Sequence, residues 1–288
     1  LDRLQTDGLV SAAGVSRCEV QDILLGSLGL ALRDWQSDLT GLMPEGDHVI
    51  WLEGHGRDLD DVDLDGTVGW FTAMYPLRLP LSEVSSGDVG LDAVVAIRNQ
   101  LAGLPDPRSS FGALRYLGSV DPFADLPLDD VGLLFNYLGQ VRGDEGSGWR
   151  LEVGSLTSAI EDGSRERPAI LEWNCGIDAD GRLHYGLTWA EGSYAVEDLR
   201  RLESLFEERL TTVVESLSVV AGGVRSASQM TAFAAVSQGA APGLLQSELE
   251  VLLARHPDLE DVIPLTPTQQ GLLFESLQAS SEAVDPNH

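Results

Sequence analysis

The chain contains no lysine: every one of its 18 cationic side chains is an arginine, set against 46 acidic residues for a formal net charge of -28. A nucleic-acid surface needs a basic face to meet phosphates, so that class of partner is excluded. An anionic membrane surface is excluded for the same reason. Cysteine is nearly absent. Cys18 and Cys175 lie far apart in apolar settings, which rules out a disulfide framework and reads as two buried thiols in a reducing cytosol. Histidines are few, and His48, His55 and His184 show neither H-E-x-x-H spacing nor a supporting cysteine pair, so no metal site is expected. No apolar run approaches membrane-span length and no basic segment followed by an apolar one opens the chain. The expectation is a soluble, cytoplasmic protein. It opens on Leu1 rather than Met, which suggests a piece of a longer polypeptide. No internal repeat is visible.

What is present is enough for a real core: 43% of the 288 residues are hydrophobic, compatible with one large domain or two modest ones. The stretch from Val49 to Pro76 organises the rest. An apolar strand, Val49 to Glu53, opens into a Gly-His-Gly turn, then an acidic run (Asp58, Asp60, Asp61, Asp63, Asp65), then the aromatic-rich Thr67-Val-Gly-Trp-Phe-Thr-Ala-Met-Tyr-Pro76. The acidic run reads as a solvated loop. A carboxylate at the end of a buried strand, on a turn made pliable by Gly54 and Gly56, is placed for proton chemistry, although a lone glutamate there reads equally as a solvated acid. His55 lies two residues on, the same side as Glu53 in an extended segment, either fixing that carboxylate or stabilising the turn. Arg57 is expected to pair with the neighbouring aspartates.

Elsewhere the periodicities are plain. Ser16-Arg-Cys-Glu19 reads as a capping box opening a helix through Val20, Ile23, Leu24, Leu28 and Leu32 to about Trp35. Phe71 to Leu81 is strand-like and ends at Pro80. Leu91, Val94, Val95 and Leu101 mark a helix that stops before Pro105, and Pro105 to Tyr116 is a turn feeding a short helix. Val131 to Leu138 has strand length. Ala169 to Ile177 and Arg182 to Trp189 flank Asp178-Ala-Asp-Gly181, a hairpin turn. A helix from about Ala195 to Ser218 carries one apolar stripe. Gly, Ala and Ser dominate from Ala221 to Gly243, which reads as a linker, with a short helix near Ser247 to Ala254.

Three ordered strings carry a resemblance: Glu53-Gly-His-Gly-Arg57, Thr67-Val-Gly-Trp-Phe-Thr72 and Phe135-Asn-Tyr-Leu-Gly-Gln140. Together they resemble the epimerization domains of nonribosomal peptide synthetases, and Val20-Gln-Asp-Ile-Leu-Leu25 resembles a further motif of that family. Ile263-Pro-Leu-Thr-Pro-Thr-Gln-Gln-Gly-Leu-Leu-Phe-Glu-Ser-Leu277 resembles the opening of a condensation domain, of the type that accepts a D-configured donor. The resemblance implies an α/β, two-layer chain with the chloramphenicol-acetyltransferase-like fold. Residues 1–222 would be its C-terminal lobe, 223–260 an interdomain linker and 261–288 the start of a condensation domain. The first lobe, with its paired histidines, is absent.

The resemblance also implies a chemistry: α-proton removal and return on an aminoacyl or peptidyl residue tethered to a carrier. Glu53 would be one acid/base group and a histidine of the missing first lobe the other, so this chain alone is expected to be inactive. Asn136 and Tyr137 would line the catalytic site as amide and phenol donors, though the two alternate across a strand; His55 and Trp70 would lie against the substrate, Trp70 and Phe71 otherwise reading as core or tunnel wall. No cofactor is expected on the chain itself, because phosphopantetheine arrives on an upstream peptidyl carrier domain. The other partners would be the missing N-terminal lobe and the downstream condensation domain. Two departures from the family pattern stand out: Gly66 where an arginine is usual, and Arg108-Ser-Ser-Phe-Gly112 in place of a Gly-rich loop. A condensation-type acyltransferase lobe, or a non-catalytic lobe that docks carriers, are the alternatives.

Overall fold

The computed structural model describes residues 1–44, 46–57, 62–64, 66–84, 88–105, 107–140, 167–220, 224–230 and 244–282. The chain divides into two compact units, Leu1–Val224 and Arg225–His288. The first is a five-stranded mixed sheet with its main helical layer on one face. Its strands are β1 (His48–Gly54), β2 (Ala73–Leu79), β3 (Leu133–Gln140), β4 (Leu171–Ile177) and β5 (Leu183–Trp189). They lie in the order β2-β1-β3-β4-β5, with β1 parallel to β3 and β3 parallel to β4, while β2 and β5 are antiparallel edges.

Helices α1 (Arg3–Ser16), α2 (Val20–Thr40), α3 (Val89–Ala102) and α5 (Val196–Ser218) form the second layer. α2 is buried almost all round from Asp22 to Leu32, which its run of leucines interrupted only by Gly, Ser and Ala permits. Ile50, Leu52, Leu77, Phe135, Leu171, Trp173 and Leu183 supply the sheet's half of this core. Phe206 of α5 meets Trp173 edge-on, with ring centroids 4.7 Å apart. Truncating such a ring to alanine costs about 3–5 kcal/mol.

Helix boundaries correct the sequence reading at the N-terminus. Ser16 does not open α2; it ends α1, where its hydroxyl donates to the Ala12 carbonyl at 2.6 Å. Arg17, in the left-handed region at φ 56°, turns the chain, and α2 opens instead where the Glu19 N–H donates to the Asp22 carboxylate at 3.0 Å. α1 itself goes unnoticed in the sequence. α2 also runs past Trp35 to Thr40, because arginines of α5 meet its polar last turns: Arg209 pairs with Asp34 and Arg201 with Asp38.

The opposite face of the sheet is only partly covered by the described residues. Trp51, Leu134, Leu128, Val131 and Ala169 form a small cluster there, closed by Phe111 of α4 (Ser110–Tyr116) and by Phe123. Arg108, one of the departures from the family pattern, docks on the C-terminal end of α3, donating to the carbonyls of Leu101, Leu104 and Pro105 at 3.1, 2.6 and 3.0 Å.

The second unit holds α6 (Gln246–Arg255), α7 (Pro267–Glu282) and a small cluster of Ala227, Met230 and Leu249. Of the linker read from the sequence, residues 221–223 and 231–243 lie outside the described residues. Among the described residues no helix is long and apolar enough to cross a membrane.

Candidate functional site

Alternation along β1 sends Ile50 and Leu52 into the helical layer and Trp51 and Glu53 to the opposite face. The register extends this across the sheet. Leu52 pairs with Phe135, so Glu53 and Asn136 are the next residues along the two parallel strands, both turned away from the helices. Asn136 in turn pairs with Asn174 of β4, and Leu134 with Glu172. Glu53, Asn136, Asn174 and Glu172 therefore share this face beside the Trp51 cluster. All of them are half-buried.

The electrostatics single out Glu53. Burial, then the nearby negative charge of Glu172, raises its proton affinity above that of an ordinary glutamate. Among the described residues no cation pairs with it. Glu172 is anchored instead: Arg167 reaches its carboxylate at 2.9 Å, and Thr188 donates to it at 3.4 Å.

The Gly-His-Gly turn is built to deliver this carboxylate. Gly56 has φ +60°, and a Cβ there would stand 1.7 Å from the Phe71 carbonyl oxygen, so only glycine fits. His55 is exposed, and its Nδ1 accepts the Arg57 N–H at 3.0 Å. It stabilises the turn. Arg57 donates to the carbonyls of Leu64 and Thr67, the latter at 2.8 Å, and lies 4.2 Å over the Phe71 ring. Its described partners are thus backbone and ring rather than the expected carboxylates; Asp58, Asp60, Asp61 and Asp65 lie outside the described residues.

Trp70 is not a core residue, and Tyr137 lies on the other face of the sheet from Glu53. Trp70 is 92% exposed and belongs to no core cluster among the described residues, while Phe71 tucks in beneath Arg57. Tyr137 faces the helices, paired in register with the buried Cys175, and burial pushes its phenol up to about 12. A strand's two-residue period puts neighbours on opposite faces, so Asn136 and Tyr137 do not meet one substrate side by side. Glu172 and Asn174 went unread because no motif marks them. The signal was there in Leu171-Glu-Trp-Asn-Cys175, where polar residues alternate with buried ones.

Residues 2–232 match the condensation domain family. The chain belongs to the condensation-domain family of nonribosomal peptide synthetases. It is 32% identical over 272 residues to chondramide synthase cmdD of Chondromyces crocatus, covering 91% of this chain and 6% of that protein. Against bacitracin synthase 2 of Bacillus licheniformis, identity is 30% over 221 residues, covering 74% and 8%. The condensation-family fold is also that of the epimerization domain from the third module of tyrocidine synthetase B, at a TM-score of 0.61 and 26% identity, covering 75% of this chain and 47% of that one. This family member thus spans a small part of the curated relatives it matches, and about half of the solved domain. Among its described residues, no group of His, Cys, Asp and Glu is arranged to hold a metal ion.

Proposed function

We propose that this chain is the C-terminal lobe of an epimerization domain, and that it serves the inversion of the α carbon of an aminoacyl or peptidyl thioester. What carries the reading is Glu53: a half-buried carboxylate at a strand end, on the sheet face away from the helical core, with raised proton affinity and no paired cation among the described residues. A carboxylate left uncompensated in this way costs stability, and carboxylates so perturbed cluster at functional sites. Raising its pKa toward neutrality lets it both take and return one.

In this reading Glu53 exchanges a proton with one face of the α carbon, and a histidine of the preceding lobe serves the other face. Asn136 lies beside Glu53, where an amide donor meets the negative charge that forms on the thioester carbonyl oxygen. The thioester is borne by the phosphopantetheine arm of an upstream carrier domain. Residues 261–288 begin the condensation domain that receives the D-configured product.

The test uses the intact synthetase with a loaded carrier. The wild type should exchange the α proton with solvent deuterium and approach a mixture of both configurations. Glu53→Gln keeps the shape but cannot cycle a proton, and should slow exchange by about 10²–10⁴ while carrier binding holds. Equal rates with Gln at position 53 would remove Glu53 from the chemistry. A wild type that binds carrier yet neither exchanges nor inverts would make this a docking lobe.

A further inference from the structure

We propose that Asn174 is a second catalytic amide, donating with Asn136 to the substrate's thioester oxygen while its α proton is off; this rests on the epimerization reading above. The ladder of β3 and β4 is parallel, and Asn136 and Asn174 are direct partners in it, so their side chains stand on the same face of adjacent strands. The flanking pairs fix that orientation: Phe135 with Trp173 and Tyr137 with Cys175 both face the helical core. Each amide is half-buried, and among the described residues neither side chain makes a hydrogen bond. Neither amide is sealed from solvent, so the two adjacent side chains have their N–H donors available to a ligand oxygen. Asn174 faces Gly186 of β5, where among the described residues even an added Cβ would touch nothing within 4 Å.

The chemistry needs such a pair. When Glu53 or its counterpart takes the α proton, the C–H electron pair moves into a Cα–C bond and the carbonyl oxygen becomes an enolate oxyanion. Return of a proton to the other side of the α carbon restores the carbonyl. Neutral N–H donors aimed at that oxygen stabilise the charge without quenching the Glu53 carboxylate. The donor paired with Asn136 in sequence, Tyr137, is on the wrong face to share this task.

The experiment measures α-proton exchange by the intact synthetase on a loaded carrier, with Asn174→Ala and Asn174→Asp. Asn174→Ala should lower kcat by about 10²–10³ with KM for the carrier thioester within about threefold. Asn174→Asp keeps the shape but replaces a donor with a like charge facing the oxyanion, and should lose at least as much. It also decides the matter should Asn174→Ala fail to fold. A folded Asn174→Asp enzyme whose kcat stays within about threefold of wild type, or a loss confined to KM, overturns the assignment. A wild type that does not exchange at all overturns the epimerization reading itself, a result distinguishable from either.

Discussion

The carbonyl oxygen of Phe71 stands where a side chain on residue 56 would begin, 1.7 Å from the position of a Cβ. The turn that carries Glu53 and the segment that leads into β2 are therefore in backbone contact. This contact holds the end of β1 in place.

Gly56→Ala should accordingly destabilise the fold. The left-handed backbone alone costs about 1–2 kcal/mol for a residue with a Cβ, and displacing Phe71 adds to it. Thermal unfolding should show a midpoint several degrees lower. An unchanged midpoint would mean that the turn is not held as described.

Glu53 should make the fold less stable than it would otherwise be. Because its folded pKa is raised, the folded chain binds more proton than the unfolded one between the two pKa values. Stability then falls as pH rises from about 4, the unfolded value, through the folded one, and the whole penalty is present above it. Glu53→Gln should unfold at a higher temperature than wild type at pH 8, with the gain fading near pH 4. A gain of equal size at both pH values would refute the assignment of the shift.

Glu172 and Arg167 should tune the Glu53 proton in opposite directions. Glu172→Gln removes a negative charge that raises the Glu53 pKa, so the acid limb of the pH–exchange profile should move to lower pH. Arg167→Ala frees the Glu172 charge from its partner at 2.9 Å and should move that limb to higher pH. Shifts in the same direction, or none, would break the link between the two carboxylates.

Gly66 leaves room for the arginine that the family resemblance expects. Among the described residues a Cβ there meets nothing within 4 Å, and the backbone is not in the left-handed region. Gly66→Arg should hold or raise the exchange rate of the intact domain. A tenfold loss would show that the glycine is required.

Much of the fold was legible because its elements satisfy local rules. α5 displays its stripe, with Leu199, Leu202, Phe206, Leu210, Val213 and Leu217 all buried, and the Asp178–Gly181 turn joins β4 to β5 as read. α1 was missed because its buried face is made largely of Thr6, Ala12, Ala13 and Ser16, small residues with little apolar signal. The core reading of Trp70 fails for the opposite reason: an aromatic side chain suggests burial, but among the described residues no element packs over it.

By itself the sequence determined the end of β1, the glycine that its turn demands, and the alternation that separates Asn136 from Tyr137. Those follow from backbone sterics and the two-residue strand period, which act over a few residues. Only the tertiary structure decided that β1 lies between β2 and β3, and that Asn174 and Glu172 share the face of Glu53. Strand neighbours and their register are chosen by packing the buried sides of β1, β3 and β4 against α2, α3 and α5, and that choice couples residues too distant in the chain for any local pattern to connect.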